Sequence, residues 1–171
     1  MPYQDHQQAA SEREAPIRCA ILTISDTRTA ETDTSGALAR QLLEAAGHRV
    51  AAQQIVADEP QEVVALIRSW QAAGLCDVVL TNGGTGISRR DATIEAIEPL
   101  LDKQLPGFGE LFRMLSFQEI GSGAMLSRAI GGVAGRTLIF CMPGSTGAVR
   151  LAMERLILPE LAHLAWELVR Q

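Results

Sequence analysis

Between Val78 and Thr93 the chain reads VVLTNGGTGISRRDAT, a run that gathers the residue types that handle phosphate. Gly83, Gly84 and Gly86 turn the chain with no side chain in the way. Backbone N–H groups can then approach phosphate oxygens, and the helix start that follows adds a favourable dipole. Arg89 and Arg90 supply charge suited to phosphate, and Asp91 is an oxygen ligand of the kind magnesium takes. The run lacks the Gly-Lys-Ser/Thr close of a P-loop, and its glycines do not fit G-x-G-x-x-G. Taken alone, it is equally a tight turn that serves geometry only.

Three further places carry comparable chemistry. Ser25 and Asp26 open the polar stretch Ser25-Asp26-Thr27-Arg28-Thr29, which follows an apolar run. Asp58 sits between another apolar run and a helix start, where spacing alone favours a helix cap. Pro143-Gly144-Ser145-Thr146-Gly147 is a second glycine turn ahead of a helix. If all four places lie at the carboxyl ends of strands, two glycine turns offer N–H donors to two anionic groups. Asp58 and Asp91 can then share a magnesium ion between phosphates. That arrangement suits nucleotidyl or phosphoryl transfer, in which catalysis is positioning plus charge neutralisation. Arg128, an isolated arginine, reads from the residues alone as a surface group.

The elements that must position these residues follow from hydrophobic pattern. Apolar runs predict buried strands over residues 17–24, 76–81 and 137–142, and a weaker strand nearer an edge over 50–56. Apolar residues at helical spacing predict helices from Asp33 or Thr34 to Ala46, and over 61–73, 92–101, 109–120, 148–158 and 160–169. Gly47 and Gly74 act as stops, and Pro159 breaks or kinks the last pair. Residues 124–130 read as a short helix or a strand, and Gly131 to Gly135 as a turn. Strands alternate with helices, so the expected fold is α/β, three-layer α/β/α, with a mainly parallel sheet and helices on both faces.

The 171 residues suit one domain, here residues 16–171, after a polar leader over residues 1–15 that reads as disordered. A formal net charge of −5 argues against nonspecific nucleic-acid binding. No run is long enough for a membrane span, and no apolar signal core stands at the start. Cys19, Cys76 and Cys141 show no zinc or disulfide spacing and read as buried thiols of a reducing cytoplasm. With only three histidines, a His-based triad or metal cluster is not expected.

TNGGTGISRRDAT, PGFGELFRMLSFQEIGSGAMLSRAIGG (residues 106–132) and MPGSTGA (residues 142–148) resemble the MoaB/MogA family of molybdenum cofactor biosynthesis, which shares its domain with the gephyrin G domain. The resemblance spans residues 17 to about 168 and lies closer to the MoaB branch. It departs from the MogA branch at the second turn, where MogA-like proteins continue Pro-Gly-Asn-Pro. It implies a molybdopterin-binding-domain-like fold, a homotrimer or a hexamer, and binding of molybdopterin. In active members AMP passes from ATP to the terminal phosphate of molybdopterin, with magnesium, and pyrophosphate leaves. By the same resemblance Asp58 and Asp91 are the catalytic and magnesium-binding carboxylates, and Gly83, Gly84, Thr85 and Gly86 form the nucleotide phosphate turn. Ser25, Ser127, Arg128, Gly144 and Ser145 fall near the pterin and its phosphate. Asp26, Arg90 and Pro143 join them as binding residues. The alternative is a non-catalytic molybdopterin carrier or scaffold in the same pathway.

Overall fold

The structure, a computed structural model, describes residues 16–169; the expected leader lies outside them. β1 (Arg18–Ile24) is apolar without alternation because it is covered on both faces. After it come α1 (Thr34–Ala45), β2 (Arg49–Val56), α2 (Pro60–Ala72), β3 (Val78–Asn82) and the short α3 (Thr93–Ile97). β4 (Lys103–Gln104), α4 (Pro106–Ile120), β5 (Ile130–Ala134), β6 (Thr137–Met142), α5 (Thr146–Ala152) and α6 (Leu158–Val169) complete the described chain.

The strands form one six-stranded sheet in the order β2-β1-β3-β6-β5-β4. β2, β1, β3 and β6 are mutually parallel, while on one flank β5 runs antiparallel to β6 and β4 antiparallel to β5. Ile21, Leu80 and Phe140 pack against α1, α4 and the α5–α6 rod. Leu22, Val79 and Ile139 pack against Val63, Ile67 and Trp70 of α2 and Ile97 of α3. Helices therefore cover both faces, as the alternation of elements predicts. A fully buried side chain such as Phe112 or Leu80 contributes about 1.5–3 kcal/mol.

Two features of the sheet place the site. The register sets Thr23 of β1 beside Asn82 of β3, and Asn82 beside Met142 of β6, so the three strands end level and their loops leave from one rim. The chain also passes from β1 outward to β2 on one side and then to β3 on the other. The crevice between β1 and β3 is thus a topological switch point, where open α/β sheets take ligands.

Several local expectations change. Ile130 to Ala134, expected mostly as a turn, is strand β5, and the turn is confined to Gly135-Arg136. Gly131 is needed there because a Cβ would come within 2.9 Å of the Phe140 ring. The ambiguous 124–130 segment splits between a 3-10 turn over Gly121–Leu126 and the start of β5. α4 begins at Pro106 rather than Gly109, with the proline in the first turn, where its missing N–H costs nothing. The helix expected over 92–101 is α3 followed by a 3-10 turn over Glu98–Leu100. Pro159 does not end its helix: a π turn over Met153–Ile157, closed by the Leu158 N–H on the Met153 carbonyl, carries α5 into α6.

Candidate functional site

The loop after β1 meets the loop after β2. The Ser25 N–H donates to the Val56 carbonyl at 2.9 Å, and the Asp58 N–H donates to Asp26 Oδ1 at 3.0 Å. The Ser25 hydroxyl oxygen accepts from the N–H groups of Thr27 and Arg28, which shapes the first loop. Asp58 is not the cap that its spacing suggests. The cap position of α2 is Glu59, and no side chain bonds to the first turn there. Asp58 instead points toward the glycine turn, where its Oδ1 would stand 2.9 Å from a Cβ on Gly84.

Gly83 and Gly84 have φ of 105° and 64°, conformations that side chains rarely adopt. A Cβ on Gly83 would meet the Ile24 carbonyl oxygen, and one on Gly84 would meet the Thr93 hydroxyl. Asp91 closes the same loop: its Oδ2 accepts the Ser88 N–H at 2.9 Å and would lie 2.6 Å from a Cβ on Gly86. The bare Cα atoms of this turn are thus occupied by two carboxylates and a hydroxyl. Thr85 is buried within it.

The charge of Asp91 reaches Asp58. The Asp58 carboxyl is pushed above the usual range by loss of solvent, then by the charges of Asp91 and Asp26, with Arg90 pulling the other way. Asp91 is held below the usual range, first by hydrogen bonding to Ser88, with help from Gly86 and the Arg128 charge. Arg90 pairs with Asp26 at 2.8 Å and reaches Glu59 at 4.0 Å; Arg128 pairs with Glu95 at 2.6 Å.

The turn after β6 completes the rim. Gly144 lies against Gly83, with space for a Cβ only 3.1 Å from the Gly83 Cα. The Ser145 side chain caps α5 by accepting the Ala148 N–H. The start of α1 is stitched to this turn: the Ser35 hydroxyl donates to the Gly144 carbonyl at 2.7 Å, and Thr34 and Thr146 hydroxyls meet at 3.1 Å. Pro143 and Gly144 are half-buried, Ser145 is exposed, and Ser127 is half-buried beside Arg128.

The structure therefore brings together Asp26, Asp58, Arg90 and Asp91 around the glycine turn, and Gly144 and Ser145 beside it. Among the described residues Ser127 makes no hydrogen bond to any of them, and Arg128 joins through its charge on Asp91. Sequence reasoning missed two residues of the rim. Thr93, fully buried, has a hydroxyl with no partner among the described residues, and so has the carbonyl oxygen of buried Asn82. The buried Asp58 Oδ1 is likewise without a partner. Their only sequence signal was position, at the two ends of the glycine run.

A groove of about 660 Å³ lies elsewhere, between α1 and the edge strand β2, with Ala37, Arg40 and Gln53 in its wall. Arg40 is already bonded to Gln53 and Glu44, so the groove offers a ligand less than the rim does.

The residue types at the rim suit a magnesium ion: Asp58 Oδ1 is buried with no hydrogen-bond donor among the described residues, and the negative charges of Asp91 and Asp26, which a cation would offset, push its carboxyl up. Among the described residues no group of three or more His, Cys, Asp or Glu is arranged to hold a metal. Two carboxylates therefore leave most of a magnesium shell to phosphate oxygens and water.

The family model described as "Probable molybdopterin binding domain" matches residues 20–163. The chain is 55% identical to the molybdenum cofactor biosynthesis protein B of Bacillus cereus, covering all of both chains. A crystal structure of a molybdenum cofactor biosynthesis protein B superposes with a TM-score of 0.90 at 58% identity, over 94% of this chain and 100% of that one. The tungsten cofactor synthesizing protein MoaB from Pyrococcus furiosus gives 0.78 at 36% identity, over 91% and 98%.

Proposed function

Because the chain belongs to the family described as "Probable molybdopterin binding domain", we propose that it acts in molybdenum cofactor biosynthesis, binding molybdopterin and transferring AMP to it from ATP. The observation that carries this reading is the approach of Asp58 and Asp91 to neighbouring glycines of one turn, with an Asp58 oxygen that is buried and has no partner among the described residues. When bound, magnesium would neutralise phosphate charge and hold the transferring group in line.

The chain's own residues then have distinct tasks. The turn from Gly83 to Gly86 lets backbone N–H groups approach the phosphates of ATP. Asp58 and Asp91 hold the cation. Gly144 and Ser145, with Ser25, Ser127 and Arg128, receive the pterin and its terminal phosphate. The terminal phosphate oxygen of molybdopterin forms a bond to the α-phosphorus of ATP, and the bond to pyrophosphate breaks. The test is pyrophosphate release by the full chain with molybdopterin, ATP and magnesium. Release that needs all three supports the transfer, and its absence with molybdopterin still bound reduces the protein to a binder.

The carrier reading has one observation in its favour. Arg90 and Arg128 are both engaged in ion pairs, which leaves less free charge for a triphosphate. Calorimetry with ATP and magnesium separates the two: pterin binding without nucleotide binding favours the carrier.

Self-association belongs to the same proposal. Leu111, Met114, Phe117 and Ile120 of α4 are exposed, and Met125 and Leu126 continue the apolar surface into the following turn. A second copy of the chain would cover it. Light scattering should report a trimer or hexamer, and Phe117→Glu should lower its mass; a monomer at assay concentration would remove this part of the proposal.

A further inference from the structure

We infer that the side-chain carbonyl of Asn82 accepts an N–H of the bound ligand, so that this position selects a nitrogen heterocycle with N–H donors. The inference rests on the proposal above that a pterin or a nucleotide occupies the rim.

The orientation of the Asn82 amide is fixed by its neighbours. Asp33, buried at the start of α1, accepts the Gly36 N–H at 2.9 Å and the Thr23 hydroxyl at 2.6 Å. The single hydrogen of Thr23 is thereby used, and its oxygen can only accept. Asn82 accordingly turns its NH2 to Thr23, at 3.1 Å, and its carbonyl oxygen the other way. A flip of the amide would set two acceptors against each other.

That oxygen is buried and has no partner among the described residues. It belongs to the last residue of β3, at the β1–β3 switch point, directly before Gly83, and the backbone of the same residue lies near Gly144. A neutral acceptor there repels phosphate oxygens and needs a donor. The pterin ring and the adenine ring both present N–H groups, and the phosphates, served by the glycine turns, do not.

The test uses the full chain and three probes by calorimetry: molybdopterin, ATP with magnesium, and pyrophosphate with magnesium. Asn82→Thr keeps a hydroxyl for Thr23 and removes the carbonyl. The dissociation constant of one heterocyclic ligand should rise about tenfold, while that of pyrophosphate stays within about twofold. Whichever ligand weakens identifies the ring that Asn82 meets. Unchanged affinities would mean that a water satisfies the oxygen, and equal weakening of all three probes would mean a structural role. Either result overturns the inference.

A second readout covers a variant that does not fold or a pyrophosphate that does not bind. In the wild-type chain the NMR signals of the Asn82 NH2 should shift with one heterocyclic ligand, and a spectrum indifferent to both overturns the inference. A wild-type chain that binds neither heterocycle overturns the functional proposal and this inference together. Binding by the wild type without selective loss in Asn82→Thr overturns this inference alone.

Discussion

The turn after β3 and the turn after β6 are written in the same residues, glycines ahead of a helix, yet different partners fill the space that their missing side chains leave. In the β3 turn the absent side chains make room for Asp58, Asp91 and Thr93, and two glycines take conformations other residues avoid. The helix behind it, α3, is short. In the β6 turn Gly144 has no such backbone conformation; its bare Cα makes room for Gly83. The helix behind it is long, because the π turn joins α5 to α6, and its start is capped and tied to α1 by hydroxyls. One turn is packed around two carboxylates and a hydroxyl, and the other around a neighbouring glycine and a set of hydroxyl hydrogen bonds. A glycine-rich turn is therefore not one kind of site: what the missing Cβ admits decides the chemistry.

The contrast is sharpest at Asp91. Asp91→Asn should cut pyrophosphate release by about a hundredfold or more while molybdopterin binding holds, because it removes cation binding and leaves the β6 turn alone. Equal loss of both functions, measured by the release assay and calorimetry, would break the division of labour. Gly84→Ala comes next. It adds a Cβ where φ is 64° and where the Thr93 hydroxyl and Asp58 already lie. A loss of about 2–4 kcal/mol in denaturant unfolding is expected, from backbone strain and overpacking together.

Ser35→Ala tests the other turn. It removes the hydroxyl that holds the Gly144 carbonyl and should cost about 1 kcal/mol. It should also weaken molybdopterin binding and leave magnesium–ATP binding unchanged. The smallest expected effect is a gain. The Asp58 carboxyl is raised, so the folded state binds its proton more tightly than the unfolded state does, and stability falls as pH rises through that window. Asp58→Asn removes this penalty. It should raise Tm slightly at neutral pH, with the gain fading as pH falls below the ordinary carboxylate range. Asp91, lowered, has the reverse sign: its contribution is present at neutral pH and is lost on acidification. Thermal melts of both variants from about pH 2 to about pH 8 distinguish the two.

Much of this was legible without coordinates, for definite reasons. Strands buried on both faces need continuous apolar runs, so β1, β3 and β6 announce themselves in residues 17–24, 76–81 and 137–142. β5 did not, because Gly131 and Gly132 look like turn residues when the Phe140 ring and the Lys103 carbonyl that exclude side chains are out of view. Spacing makes Asp58 look like a cap because one dimension shows only its nearest helix; its real neighbours, Gly84 and Asp26, are far away in sequence. Asn82 and Thr93 escaped notice because an ordinary polar residue at a strand end acquires meaning only when its hydrogen bonds are counted.

The sequence by itself determined the alternation of the main strands and helices, the mainly parallel character of the sheet, the two glycine turns and the family, since periodicity, turn chemistry and motif are local properties. The tertiary structure alone decided that β1, β3 and β6 end level, that a different partner fills the space at each turn's glycines, and that the Asn82 carbonyl oxygen has no partner among the described residues. Those outcomes depend on register and on contacts between residues distant along the chain, which no local pattern encodes.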